Sequence, residues 1–198
     1  MTKRLFLILI LFCSLSLNAQ NAFYGKLWAN GQESECNWFF DENRACMQLK
    51  FSTGDSVMTD ARVIMHSGSG KLEFITYSNG QRSVFTTHAD SIVIPTDFEP
   101  INFFTSGLTS EFAGIGNCTK YQGRNLKAQY VMYLTDTVTI DLSAFQLFFR
   151  GDESFYWVSK NQPHSFPVNT VKVSASGELI QSFLVHNITN EIPQGIWQ

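Results

Sequence analysis

The sequence carries little charge and has no block of basic residues. Lys and Arg number 14, Asp and Glu number 17, and charged residues make up 16% of the chain. Residues 1–19 contain two of the basic residues and none of the acidic ones, so the rest of the chain has a net charge of −5. Nucleic-acid binding rests on Lys and Arg that neutralise phosphates, and docking on anionic lipid needs similar clusters. The composition therefore argues against both partners.

A long hydrophobic run is also missing. The apolar stretch Leu5–Cys13 follows the basic residues Lys3 and Arg4. It is far shorter than the roughly 20 residues that span a bilayer, which argues against a transmembrane anchor. Leu17-Asn18-Ala19 then offers the small or neutral residues that signal peptidase cuts after. We therefore expect a signal peptide over residues 1–19, one mature domain over residues 20–198, and a periplasmic or secreted protein of a Gram-negative envelope.

Cysteine is scarce, and its number after residue 19 is odd. Cys36, Cys46 and Cys118 remain, and three cysteines cannot all pair within one chain. A turn at residues 41–43 does not place Cys46 opposite Cys36, so a bridge between them needs a shifted register or a bulge. Packing favours Cys118 as a small buried core residue, because free Cys behaves as an apolar side chain. A bridge from Cys118 to Cys36 or Cys46, and a nucleophilic thiol at Cys118, are the alternatives.

Motifs that carry chemistry are absent as well. Gly68–Lys71 reads Gly-Ser-Gly-Lys but lacks the upstream glycine and the following Ser or Thr of a phosphate-binding loop. His88 and Asp90 would share one face of a strand, yet no spacing marks a third metal ligand. We therefore expect no catalytic residues, no metal site and no cofactor, and a protein that is not an enzyme.

What the sequence does contain is the two-residue alternation of β-strands. The clearest case is Lys71–His88, where Asn79-Gly80 best tolerates the positive φ angles of a type I′ hairpin turn. Further hairpin turns are predicted at Asp41–Asn43, Ser67–Gly70, Gly151–Asp152 and Ser176–Gly177. Many short strands joined by such turns indicate an antiparallel sheet or barrel.

Residues 95–116 break this alternation, with two prolines and irregularly spaced large apolar residues. We interpret the segment as a cover over one face or mouth of the sheet, in which Thr105–Phe112 forms a short helix or helical turn. The alternative is an ordinary loop packed on the core.

Aromatic residues are abundant. Sixteen of the 18 Phe and all four Trp follow residue 19. Large aromatic side chains line concave sheet faces that hold acyl chains, although they also fill ordinary cores. The candidate ligand-binding residues are Trp38, Phe40, Phe74, Phe98, Phe103, Phe104, Phe112, Phe149 and Trp157.

Four segments in order, residues 37–51, 72–86, 115–123 and 166–197, resemble uncharacterised secreted bacterial proteins of the LolA-like superfamily. That superfamily contains the periplasmic lipoprotein carriers. The resemblance implies a mainly β fold, with a single antiparallel sheet curved into a half-barrel and a short helical or loop lid. In the carriers an arginine inside the barrel holds the lid, and the candidates here are Arg44, Arg62 and Arg82.

These observations lead to two main functional hypotheses, with an enzyme that uses Cys118 as a third and weaker one. The first is a non-enzymatic envelope protein that binds a hydrophobic ligand, a lipid, acyl chain or lipoprotein, in a half-barrel cavity. The second is a structural or protein-interaction module of the envelope, with a filled core and a sheet edge or apolar face for a protein partner. An empty concave face would favour the first hypothesis and a filled one the second.

Overall fold

The structure is a computed structural model that describes residues 20–53, 57–78, 80–91, 101–112 and 114–198. The predicted signal peptide, and residues 95–100 and 113 of the predicted cover, lie outside these ranges. Within them the chain forms one α-helix, α1 (Glu153–Asn161), and eleven strands. The strands are β1 (Asn21–Ala29), β2 (Gln32–Phe40), β3 (Arg44–Thr53), β4 (Val57–His66), β5 (Lys71–Ser78), β6 (Gln81–His88), β7 (Asn102–Phe112), β8 (Gly116–Arg124), β9 (Ala128–Thr135), β10 (Phe166–Ser174) and β11 (Leu179–Thr189).

All eleven strands belong to one curved antiparallel sheet, in the order β6-β5-β4-β3-β2-β1-β11-β10-β9-β8-β7. Strands β1–β6 form one meander and β7–β11 form another. The pairing of β1 with β11 joins the two meanders into a continuous sheet. Strands β6 and β7 are its edges, so the sheet does not close on itself.

Several hairpins form where the sequence predicts them. The β5–β6 hairpin closes with Ser78 opposite Gln81, and Gly80 adopts a φ of 73°. The β10–β11 hairpin turns with Gly177 at a φ of 88°. A further turn, which is not among the predicted ones, joins β1 to β2 through Asn30 and Gly31, whose φ angles of 53° and 77° suit a type I′ turn.

The prediction of a helix over Thr105–Phe112 is wrong. These residues belong to β7, which pairs with β8. The register shifts between Thr105 and Thr109, and Gly107 between them has a φ of 69°. This irregularity breaks the alternation of apolar and polar residues, which is the signal that identifies a strand in a sequence.

The predicted hairpin around Gly151–Asp152 is also wrong. The connection from β9 to β10 contains two 3-10 turns, Leu142–Phe145 and Phe148–Gly151, followed by α1. Asp152 is the N-cap of α1, and its Oδ1 accepts hydrogen bonds from the amides of Ser154 at 2.9 Å and Phe155 at 3.1 Å. Asp followed by a nine-residue segment without Pro or Gly is a helix start, and this signal outweighs the turn signal of Gly-Asp.

Helix α1 and the 3-10 turns cover one face of the sheet, which we call the inner face. Phe155 and Val158 of α1 lie three residues apart and point into the main core. Beneath them the strands contribute their inward residues, among them Phe23, Trp38, Phe40, Met132, Phe166 and Phe183. The predicted fold class, mainly β with a single antiparallel sheet curved into a half-barrel and a short helical or loop lid, is confirmed. The place predicted for the lid is wrong, because the covering helix is α1, whereas residues 102–112 of the predicted cover form β7.

The opposite, outer face carries a second and smaller core. It contains Ala22, Phe39, Cys46, Ile64 and Ile75 from β1–β5, together with Ile196 from the segment that follows β11. Among the helices of the described residues, none combines the length and apolar character that a membrane crossing requires.

Candidate functional site

The centre of the inner face is filled by the protein's own aromatic rings. Trp38 stacks on Phe155 of α1 with ring centroids 5.0 Å apart and planes 19° apart. Phe149 lies 5.5 Å from the Trp38 ring, and Phe166 stands edge-on to it at 6.3 Å. Phe155 and Phe166 also contact each other at 5.4 Å. Such mutual packing makes a solid core at this part of the concave surface.

Polar contacts fix α1 over this core. The second carboxylate oxygen of Asp152 accepts a hydrogen bond of 2.9 Å from the Gln181 side chain on β11. The Lys172 ammonium on β10 lies 3.0 and 3.2 Å from the two carboxylate oxygens of Glu153. Desolvation raises the pKa of Asp152, and the hydrogen bonds that it accepts oppose this shift only in part. The start of α1 is therefore tied to two strands, which holds the cover on the sheet.

The predicted ligand-binding residues do not form one site. Trp38, Phe40 and Phe149 are buried in the aromatic core. Trp157, in the middle of α1, and Phe103 on β7 form a second group, with ring centroids 5.1 Å apart. The remaining residues are dispersed: Phe74 lies half-buried on β5, Phe112 contacts Tyr133, Phe104 is exposed opposite Gln122, and Phe98 lies outside the described residues.

One apolar row leads out of the filled centre to the edge of the sheet. It runs across successive strands through Phe23, Trp38, Met47, Val63, Phe74 and Phe85, each directly opposite the next. We call it the inner row. Exposure rises along it, from 0% for Phe23 and 7% for Trp38 to 64% for Phe85. The Phe74 and Phe85 rings remain in contact, with centroids 6.0 Å apart. The inner row thus ends as an exposed aromatic surface on β6.

Within the part of the chain that the structure describes, the edge strand β6 shows few of the features that usually protect a sheet edge. All eight of its residues pair with β5 without a register shift, and none of the described strands pairs with its other side. It contains no proline, and Arg82 is its only Lys, Arg, Asp or Glu residue. Val84 is 44% exposed on the outer side of the same strand. Edges are normally blocked by bulges, charges or proline, and the pairing of the other edge strand, β7, is interrupted by a register shift.

The three cysteines are buried and unpaired. Cys36 lies opposite Leu49 on the inner face, whereas Cys46 lies opposite Phe39 on the outer face, so the sheet separates the two sulfur atoms. Burial raises the pKa of both thiols to about 12. Cys118 is 0% exposed, and burial raises its thiol pKa as well. The interpretation of Cys118 as a core residue agrees with this placement.

On the outer face, the segment that follows β11 folds back across the first meander. We call its last part, Ile192–Gln198, the strap. An Arg62 nitrogen donates hydrogen bonds to the main-chain oxygens of Gly195 at 2.9 Å and Ile196 at 3.2 Å. The Tyr77 hydroxyl donates to the main-chain oxygen of Gln198 at 2.7 Å. These contacts join residues more than 100 positions apart in the sequence, so no local pattern predicts them.

A groove of about 410 Å³ runs beside the strap on the outer face. Asn37, Gln48 and Arg62 are among the residues that line it. The Asn37 amide donates to Gln48 at 3.3 Å, and the Gln48 amide donates to Asp60 at 3.0 Å. Asp60 in turn holds the Arg62 guanidinium through two hydrogen bonds of 2.9 and 3.2 Å. Of the three arginines that the sequence offered for holding a lid, Arg62 and Arg44 contact the strap, and they do so on the outer face.

Comparisons with known proteins leave the family open. No protein-family model and no curated protein matches the chain. Solved structures that resemble it include MucB, with 12% identity over 90% of this chain and 55% of MucB and a TM-score of 0.38. The MucA/MucB complex of Pseudomonas aeruginosa shows 11% identity over 89% of this chain and 53% of the matched chain, with a TM-score of 0.38. A DUF1329 family protein from Desulfovibrio piger shows 7% identity over 94% of this chain and 91% of its own chain, with a TM-score of 0.26.

The chain thus spans about half the length of the MucB structures. With TM-scores below 0.5, these likenesses assign neither a family nor a function to the chain.

Proposed function

We propose that this chain is a non-enzymatic protein of the cell envelope that binds a partner protein by adding a strand to the free edge of β6. The envelope location rests on the signal-peptide pattern of residues 1–19. The mode of binding rests on the inner row, which ends exposed on β6, a strand that pairs on one side only with the other described strands.

Strand addition uses the backbone groups that an edge strand leaves unpaired, and alternate side chains supply specificity. A partner strand beside β6 would place one of its side chains next to Phe85, on the inner face. An apolar residue at that position extends the inner row by one strand and covers the Phe85 ring. The partner is therefore an extended segment with an apolar or aromatic residue at this register position.

The filled centre of the inner face supports a protein partner over a ligand in a central cavity. Trp38, Phe149 and Phe155 occupy the place where the first hypothesis puts an acyl chain. The buried thiols support a binding role over a catalytic one, because the thiolate is the nucleophile and burial disfavours it.

A photo-crosslinking experiment tests this proposal. A photoreactive phenylalanine replaces Phe85 in the chain expressed in its own cells, and the matched control carries it in place of Leu179, which is 43% exposed on β11. We expect one discrete protein adduct from position 85 and none from position 179. Mass spectrometry of the crosslinked peptide then identifies the partner segment. Equal adducts from both positions, or no adduct from position 85, would contradict strand addition at β6.

A specific observation favours a second candidate function, the binding of an apolar ligand. Val63 and Phe74 are half-buried and Phe85 is exposed, so the outer end of the inner row offers an apolar surface beside the filled centre. An acyl chain on this surface would contribute about 0.8 kcal/mol per buried methylene. Organic extraction of protein purified from its own envelope, followed by mass spectrometry, tests this candidate. The same crosslinker at position 85 then yields a lipid adduct in place of a protein adduct.

A further inference from the structure

The strap contacts the outer face as a bound peptide contacts its receptor. Three of its main-chain oxygens, those of Gly195, Ile196 and Gln198, accept hydrogen bonds from side chains of the sheet. Side-chain donors that bind main-chain oxygens recognise the backbone of a peptide, and this recognition does not depend on the side chains of the peptide. The donors, Arg62 and Tyr77, lie on adjacent strands and stack, with the guanidinium carbon 5.0 Å from the Tyr77 ring centroid.

Two side chains of the strap supply specificity. Ile196 is 4% exposed and belongs to the outer core. The Trp197 ring lies 4.3 Å from the Arg44 guanidinium carbon, a cation–π contact. Arg44 is itself held by two hydrogen bonds of 2.7 and 2.9 Å from its side chain to the Asp41 carboxylate, so the contact surface for Trp197 is already in place.

The donors on the sheet are positioned by contacts that do not involve the strap. Asp60 holds the Arg62 guanidinium, and the Arg82 side chain donates to the Tyr77 hydroxyl at 3.2 Å. The Tyr77 oxygen therefore accepts from Arg82 while it donates to Gln198. A surface that keeps its donors oriented without its ligand binds that ligand at a lower entropic cost.

We propose that the outer face of β2–β5 is a peptide-binding site, and that the strap is its tethered and displaceable ligand. The site binds an extended segment that has the same pattern as the strap. This pattern is an Ile-Trp pair, with main-chain oxygens at and beside the pair that accept hydrogen bonds from the sheet. When its own strap is displaced, the site binds the strap of a second copy of this chain. This inference is independent of strand addition at β6, since it concerns the other face of the sheet and other residues.

Cys46 reports on the occupancy of the site. It is buried in the outer core together with Ile196 of the strap, whereas Cys36 and Cys118 belong to the inner core. Release of the strap therefore exposes one thiol out of three. Local opening of this kind controls how fast a buried thiol reacts in a folded protein.

The experiment measures alkylation of each cysteine by N-ethylmaleimide in the full mature chain, resolved by peptide mass mapping. Trp197→Ala weakens the strap without changing any strand. We expect Cys46 to react at least about tenfold faster in this variant, with the rates of Cys36 and Cys118 unchanged. Leu179→Ala is the matched control, because Leu179 is an exposed β11 residue outside the strap, and it leaves all three rates unchanged.

Binding in trans is tested by adding a synthetic peptide of residues 190–198 to the Trp197→Ala chain. A tether supplies an effective concentration in the millimolar range, so the free peptide is used at about 1 mM. We expect it to slow Cys46 alkylation back to the wild-type rate, and a peptide with Ile196 and Trp197 both replaced by Ala to have no effect.

Each other outcome overturns the proposal. Unchanged Cys46 reactivity in Trp197→Ala would mean that the strap does not control the site. Equal acceleration of all three thiols would mean that the strap is inseparable from the fold. Failure of the wild-type peptide to protect Cys46, or equal protection by the altered peptide, would mean that the outer face does not recognise the strap sequence.

Discussion

Phe23 on β1 stacks on Phe166 on β10, with ring centroids 3.8 Å apart and planes 19° apart. The two strands belong to different meanders and are separated by β11 in the sheet. Both rings are 0% exposed. This contact therefore joins the two halves of the sheet from the inner side, in addition to the hydrogen bonds between β1 and β11.

Replacing Phe166 by alanine is expected to destabilise the whole domain. The Phe166 ring also contacts Phe155 of α1 and Phe183 of β11, so the cavity would touch both meanders and the cover. We expect Phe166→Ala to lower the free energy of unfolding by about 3–5 kcal/mol, measured by urea denaturation. Phe85→Ala is the control, because Phe85 is 64% exposed, and we expect a change within about 0.5 kcal/mol. Similar losses in both variants would contradict this account of the core.

The position of the cysteines on two faces predicts that no bridge forms between Cys36 and Cys46. The sheet lies between the two side chains, and a disulfide needs Cβ atoms about 3.8 Å apart. After exposure of the folded protein to oxidised glutathione, we expect three free thiols in a count made under denaturing conditions. The raised pKa values predict slow reaction with iodoacetamide at pH 8 before denaturation. A disulfide-linked peptide containing Cys36 and Cys46 would disprove the prediction.

The β5–β6 and β10–β11 hairpins were predictable because each depends on a few adjacent residues. Gly80 and Gly177 adopt the positive φ angles that their turns require. Strand β7 was missed because Gly107 lies in an irregular part of its pairing and interrupts the alternation. Sequence reasoning did not predict helix α1, because Gly151-Asp152 also resembles a hairpin turn and was given more weight than the helix-start signal of Asp152 and the nine residues after it.

The candidate sites were less predictable than the fold. Aromatic content identified Trp38 and Phe149 as important, but content alone does not tell a filled core from a lined cavity. The free edge of β6 follows from the strand order, in which β6 and β7 are not neighbours. The strap depends on contacts such as Arg62 with Gly195, which only the folded chain brings together.

Asp152 gives a test of how the cover is held. Asp152→Ala removes the acceptor for two amides of α1 and for the Gln181 side chain. Loss of an N-cap costs about 0.5–2 kcal/mol, and we expect a decrease in the free energy of unfolding of at least that size. Asp152→Asn keeps an oxygen acceptor at the N-cap, and a flipped Gln181 amide can accept from the new amide group. We therefore expect Asp152→Asn to be much less destabilising at neutral pH.

The raised pKa of Asp152 determines whether its contribution to the stability of the fold rises or falls with pH. Its folded-state pKa lies above the unfolded value of about 3.9, so the folded protein binds the proton more tightly. This contribution to stability is fully present below about pH 4 and is lost as the pH rises through the folded-state pKa. The stability of Asp152→Asn relative to the wild type should therefore increase from pH 4 to pH 7, as followed by urea denaturation. A relative stability that falls over this range would show that Asp152 is stabilised as the carboxylate.

Gly25 tests how closely β1 and β11 approach at the junction of the two meanders. The register of this pair shifts between Tyr24 and Gly25. A Cβ atom at Gly25 would lie 2.7 Å from the main-chain oxygen of Leu184 and 2.9 Å from the Phe183 ring. Because the oxygen belongs to the backbone of a paired strand, it cannot move aside without disturbing the ladder. Gly25→Ala should therefore lower the free energy of unfolding by about 1–3 kcal/mol.

Gly68→Ala is the matched control for this prediction. A Cβ atom there meets nothing within 4 Å, and the φ angle of Gly68 is not positive. The same substitution at this turn position should leave stability within about 0.5 kcal/mol of the wild type or raise it slightly, because alanine restricts the unfolded chain. If both variants unfolded at the same urea concentration, the β1–β11 junction would have to be looser than the distances at Gly25 indicate. If Gly25→Ala alone is destabilised, the result supports the close approach of β1 and β11 that the distances at Gly25 describe.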